Sequence, residues 1–167
     1  MKISCKFLTV ALLSSVIFSC HKGNKINPKA QLTDCPVNAN CTYSFINKAN
    51  INLPGKLVSG DVRVFYYSSV NTNLCNANTQ LYFKTSLSNN DFIINSSQIA
   101  AGQALYNVIC PCCDFIGLQP IGGEIKGQQI NTQKWLVNAT VLLGNSQNKI
   151  IDTIKFNQYF IAKALDN

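Results

Sequence analysis

The segment "KWLVNATVLLG", residues 134–144, sets Trp135, Val137, Ala139, Val141 and Leu143 on one side of the chain and polar Asn138 and Thr140 on the other. Side chains alternate across a strand with a period of two, so this pattern dictates a β-strand with one face in an apolar core. The same period recurs elsewhere. "CTYSFIN" groups Cys41, Tyr43 and Phe45; "DVRVFYYSS" divides Val62, Val64 and Tyr66 from Arg63, Phe65 and Tyr67; "QLYFKTSL" collects Leu81, Phe83, Thr85 and Leu87. "DFIIN", "QALYNVI", "GEIKGQQIN" and "DTIKFNQYFIA" are further strand segments. Turn-rich clusters separate them: "NLPG", "NTNLCNANTQ", "LSNND", "NTQ" and "GNSQN". No helical stripe and no internal repeat interrupts this pattern. Seven or eight short strands predict an all-β domain, an antiparallel β-sandwich or a related barrel. "NTQ" and "GNSQN" are of hairpin length, so the last three strands are expected to form a meander.

The amino-terminal region has a different character. Lys2 and Lys6 lead into an apolar run, residues 7–18, that is too short to cross a bilayer as a helix, which takes roughly 20 residues. Its size and flanks suit a secretory signal peptide. The run ends in "IFSC", residues 17–20, which resembles the lipobox of bacterial lipoproteins: an aliphatic residue three before the cysteine and a small residue immediately before it. Phe18 stands where a small residue is usual. The resemblance implies cleavage after residue 19 and acylation of Cys20, leaving the protein lipid-anchored to a membrane. An ordinary secreted chain cut near Ser19 and an uncleaved anchor are the alternatives. Each buried CH₂ of an acyl chain contributes about 0.8 kcal/mol, so two or more chains hold stably. Residues 20–33, with Lys22, Lys25 and Lys29, read as a flexible tether whose thirteen residues past Cys20 reach roughly 45 Å when extended. His21 is not the Asp linked to inner-membrane retention in that family, and no acidic cluster follows. The resemblance therefore implies an outer-membrane position facing the periplasm, with residues 34–167 as one domain.

Export bears on the cysteines. Of eight, Cys5 belongs to the leader and Cys20 to the lipid, leaving Cys35, Cys41, Cys75, Cys110, Cys112 and Cys113. An even number in a small exported domain reads as three disulfides, with 15 pairings open. Cys112 and Cys113 are adjacent, with Cα atoms about 3.8 Å apart, too close for a bridge. On an extended chain Cys110 and Cys112 are poorly placed as well. The simplest expectation sends each clustered cysteine to one of Cys35, Cys41 and Cys75. The main competitor is a local Cys35–Cys41 bridge, which forces a Cys110–Cys113 link and leaves Cys112 for Cys75. A different use of the cluster, with Cys75, is a soft-metal site for Cu(I) or Zn. Against it, the only histidine is His21 and the only methionine is Met1. The C-x-x-C spacing of Cys110 and Cys113 also suits thiol redox chemistry, which prefers a helix start that is missing here. No metal and no cofactor are expected.

Charge and composition remove other classes. The net charge of +7 comes mainly from the leader and tether, because from Asp34 onward there are nine Lys or Arg against seven Asp or Glu. A domain so nearly balanced lacks the basic surface of a nucleic-acid binder. Without histidine it offers no Ser-His-Asp or Cys-His arrangement. Asp61, Asp91, Asp114, Glu124 and Asp152 match no paired-carboxylate signature, and Gly117, Gly122 and Gly123 read as a bend with a bulge rather than a phosphate loop. Trp135 reads as core. Tyr66 and Tyr67 point oppositely, so one is expected to be exposed. Asn40, Asn95 and Asn138 lie in N-x-S/T sequons that an Asn-rich chain produces by chance. The chain is therefore expected to be a non-enzymatic envelope lipoprotein, acting as a binding or structural module with a protein or glycan partner.

Overall fold

The computed structural model describes residues 26–27, 30–52, 55–113 and 117–165. Eight strands form where the alternation predicts them: β1 (Ala39–Asn52), β2 (Lys56–Asn71), β3 (Ala77–Thr85), β4 (Asp91–Ile94), β5 (Ala104–Ile109), β6 (Gln119–Asn131), β7 (Lys134–Gly144) and β8 (Ile150–Ala162). Between β4 and β5 lies a short helix, α1 (Ser96–Gln98), followed by a wider turn over Ile99–Gln103. Asn95 caps α1. Its side-chain oxygen accepts from the Gln98 N–H at 3.0 Å, and the Gln98 side chain accepts from the Asn95 N–H at 2.9 Å, the reciprocal arrangement of a capping box. Among the described residues no helix is long and apolar enough to cross a membrane.

The strands make one sheet in the order β4-β6-β7-β8-β1-β2-β3-β5. β6, β7 and β8 form the expected antiparallel meander, and β1, β2 and β3 form another. The two meanders join where β1 runs parallel to β8, with Ser44 opposite Ile161 and Phe45 opposite Ala162. The expected antiparallel β-sandwich or related barrel is thus replaced by one mixed, largely antiparallel open sheet. Alternation reveals which side chains face inward, but not which strands become neighbours, so the parallel junction had no sequence signature.

The sheet is strongly curled. Flat, β2 and β4 would lie five strand spacings apart, about 24 Å. The rings of Phe65 (β2) and Phe92 (β4) are instead 5.1 Å apart, and Phe83 (β3) is 6.1 Å from Phe92. The link from Thr85 to Asp91 spans at most about 20 Å, which also demands that the sheet's two edges approach. One core fills the concave side. Trp135, Val137, Ala139, Val141 and Leu143 all face it, with Phe45, Phe65, Leu81, Phe83, Phe92, Ile125, Phe156 and Phe160. Trp135 is fully buried, edge-on to Phe65 at 5.4 Å. Gly127 lies opposite Phe92 in the β4–β6 pair, and a Cβ there would overlap the Phe92 ring.

On the convex side a smaller cluster joins Ile46, Ala49, Val64 and Tyr82. The far end of the β1–β2 hairpin folds over it. Lys48 adopts φ 56° at a register shift between Asn47 and Asn50, which bends the ribbon, and Gly55 packs close to the Tyr82 ring. Of Tyr66 and Tyr67, one was expected to be exposed, but neither is: Tyr67 is buried in the core and Tyr66 is half-buried, its ring 4.9 Å from that of Tyr82. The bulge expected at the glycines is present in β6: the register shifts between Pro120 and Gly122, and Gly123 takes φ 114°.

Candidate functional site

The sheet has two unlike ends. At the first, β1 begins, β2 ends, β3 begins and β5 ends, as the pairs Ala39–Asn71, Asn71–Ala77 and Asn78–Ile109 require. All six cysteines downstream of Cys20 gather here in three bridges: Cys35–Cys41, Cys75–Cys112 and Cys110–Cys113, with Cα separations of 5.8, 6.2 and 5.4 Å. The simplest expected pairing is overturned, and the competing one is observed. Local turns are the reason. The Ala39 N–H bonds to the Pro36 carbonyl at 3.0 Å, and Asn38 takes φ 61°, so the chain doubles back and brings Cys35 to Cys41. Residues 110–113 are not extended. Pro111 sits at the second position of a turn that its fixed φ favours, with the Cys113 N–H 3.4 Å from the Cys110 carbonyl. That turn brings Cys110 to Cys113 and leaves Cys112 to meet Cys75, which sits at φ 47° in the tight β2–β3 connection.

The sulfurs of Cys110, Cys112 and Cys113 lie within 4.8 Å of one another, and Cys112 and Cys113 are exposed. With each sulfur in a disulfide, none is a thiolate donor for a metal. Tyr106 (β5) points toward this end of the core. Burial pushes its phenol pKa up, and Asp152 raises it further, while a hydrogen bond with Thr79 works the other way. Asp152 belongs to β8, so its influence on β5 is a further sign of the curl.

The other end is organised by Arg63, the only arginine in the chain and 6 % exposed. It faces inward from β2, with its guanidinium 4.4 Å from the Trp135 ring centroid. Nε donates to the Asn47 side chain at 2.8 Å, while the two terminal nitrogens donate to the Asn89 and Leu87 carbonyls at 3.2 Å each. No carboxylate pairs with it among the described residues, and burial lowers its pKa. Arg63 therefore fastens the β3–β4 link across the mouth of the sheet. The sequence did carry a signal, a lone charge on the inward face of an apolar strand.

A third feature lies at the β8–β1 junction. Residues 30–33, read above as tether, are held against β8. The Thr33 N–H bonds to the Asn157 carbonyl at 3.0 Å, and the Asn157 N–H bonds to the Thr33 hydroxyl at 2.9 Å. The Asn157 side-chain amide reaches the Ala30 and Gln31 carbonyls at 3.4 and 3.0 Å, and Gln158 donates to the Thr33 carbonyl at 2.8 Å. Further upstream, Ile26 is buried. The physical cause is stagger. β1 pairs with β8 over only two positions, and the segment fills the step this leaves. Nothing in the tether's composition announced this role.

The remaining candidates are dispersed. Glu124 pairs with Lys126 at 2.8 Å across the β6 surface. Asp61 lies with Lys84, Thr85 and Gln103 around a shallow depression of about 430 Å³ at the arginine end. Gly122 and Gly123 are inside β6, and Asn95 is the α1 cap. Cys20, His21, the three tether lysines and Asp114 lie outside the described residues. Comparison of the chain with protein-family models, with curated proteins and with solved structures finds no significant match.

Proposed function

We propose that this chain is a lipid-anchored protein of the bacterial cell envelope, acylated at Cys20 and held at the outer membrane facing the periplasm. Its β-domain acts there as a non-enzymatic binding or structural module for an envelope protein or glycan. The observation that carries this reading is that all six cysteines after "IFSC" are spent in disulfides, a state that persists in oxidising compartments. The buried Arg63 supports the non-catalytic part, since its three hydrogen bonds go to a loop and a neighbouring strand rather than into an open cleft.

Mass spectrometry of the protein purified from bacterial membranes tests the anchor. The expected product begins at Cys20 with acyl chains; an intact Met1 or an unmodified amino terminus overturns the reading. A second reading, thiol exchange or soft-metal binding, draws on the closeness of the Cys110, Cys112 and Cys113 sulfurs. Free-thiol titration of the denatured protein, together with metal analysis, separates the two. No thiols and no metal support the module; reactive thiols or stoichiometric copper or zinc support the alternative.

A further inference from the structure

The stapled end carries a second peculiarity. Among the described residues eight large apolar side chains are exposed, and five of them, Val37, Leu74, Ile109, Ile150 and Ile151, lie at this end. They come from separate pieces of chain that the fold brings together. Val37 precedes the Asn38 carbonyl, which accepts from the Thr72 N–H at 2.9 Å, close to Leu74. Ile109 ends β5 beside the start of β3. β8 runs parallel to β1, so Ile150 and Ile151 begin it at the same end. Val37 is 86 % exposed, Ile150 54 % and Ile109 53 %. Such clustering marks a docking surface more often than chance scatter does.

The chain itself indicates what covers this surface. A flexible tether of thirteen residues would let the domain hang free of its anchor. The engagement of Ile26 and of residues 30–33 removes that freedom. Only six peptide steps then separate Cys20 from Ile26, a reach of at most about 22 Å. The held segment lies level with the start of β1, in the stapled half of the sheet, because Asn157 is four residues before the Ile161 that pairs with Ser44. A membrane that receives the acyl chains therefore lies within that reach of Ile26, and Ala30, four residues further on, is held in the stapled half of the sheet.

We propose that the stapled end rests on the lipid surface, with Val37, Leu74, Ile109, Ile150 and Ile151 inserted among the headgroups and upper acyl chains. This deepens the anchor reading and rests on it. The occupant is a bilayer rather than a second copy of the chain. In that position the arginine end faces away from the membrane and is the surface left for an envelope partner.

The test uses the acylated protein reconstituted into phosphatidylethanolamine–phosphatidylglycerol vesicles containing bromolipid, a quencher of indole fluorescence. The native Trp135 is the only tryptophan and is buried, so it supplies a constant background. Val37→Trp or Ile109→Trp adds a reporter at the stapled end, and Ile130→Trp adds one at the other end, where Ile130 is 44 % exposed. Insertion to about 5–10 Å should quench the first two reporters roughly twofold and leave the third unchanged. No quenching at residues 37 and 109, or equal quenching at residue 130, overturns the proposal. So does a concentration-dependent blue shift of the Val37→Trp emission without vesicles, which would assign the surface to a second copy. Acyl chains on Cys20 combined with absent quenching refute the docking alone, whereas an unacylated Cys20 refutes the anchor and the docking together.

Discussion

Arg63 shows how one side chain substitutes for a missing strand contact. A buried cation costs several kcal/mol unless its donors are satisfied and its charge is compensated. Here the Trp135 ring supplies a negative face at 4.4 Å, worth about 2 kcal/mol when desolvated, and three oxygens accept its N–H groups. Lysine offers a point charge without the planar fork, so Arg63→Lys is expected to cost about 2 kcal/mol in urea unfolding, with increased hydrogen exchange over residues 86–90. Gly127 is a complementary case. Gly127→Ala puts a methyl group where the Phe92 ring lies, and the midpoint of denaturation should fall by the equivalent of about 1–3 kcal/mol. The tyrosines provide a pH signature. Burial, with the nearby Tyr67, raises the Tyr43 pKa to about 12, and burial, with Tyr66, raises that of Tyr82 to about 12. The unfolded chain releases these protons near pH 10, so the stability they confer is whole below that value and is lost as pH climbs toward 12. Spectrophotometric titration should show both phenols ionising late; half-ionisation of either near about pH 10, the ordinary tyrosine value, would contradict its burial.

At the scale of elements, the bridges differ in what they constrain. Cys75–Cys112 closes 37 residues, against six for Cys35–Cys41 and three for Cys110–Cys113. The chain-entropy relation then assigns roughly 4 kcal/mol to the first and about 2 kcal/mol to each of the others. The double variant C75S/C112S should lose about twice the stability of C35S/C41S in denaturant titration. The junction filled by residues 30–33 depends on Asn157. Asn157→Ala strips the donors from the Ala30 and Gln31 carbonyls, and should cost about 1–2 kcal/mol while raising exchange in residues 30–34 and leaving β7 protected. These elements also show how far the sequence could be read. The inward faces of β1, β2, β3 and β7 were legible because a sheet with one buried face imposes a period of two on the residues themselves. The β6–β7–β8 meander was legible because short turns leave little choice of neighbour. The parallel β1–β8 contact, the Pro111 turn that dictates disulfide partners and the grip of Asn157 on the preceding segment depend on encounters between distant or locally bent stretches. Alternation carries no information about those.

For the molecule as a whole, the curled sheet replaces two packed layers with one surface wrapped round an aromatic core. Phe65 and Trp135 stand at the centre of rings contributed from both halves of the sheet. No subset of strands completes that core. A truncation before Ile150 removes Phe156 and Phe160 and exposes one side of β1 and one of β7. Thermal melts of such a chain should show no cooperative transition; a sharp melt would mean that the first meander folds independently.

The neighbourhood of β1 and β8 also sets an order of events. The first strand to leave the ribosome waits for the last before it acquires its second neighbour, so the native sheet cannot close until synthesis has passed Ala162. Until then β1 keeps an unpaired edge and the aromatic core lacks Phe156 and Phe160.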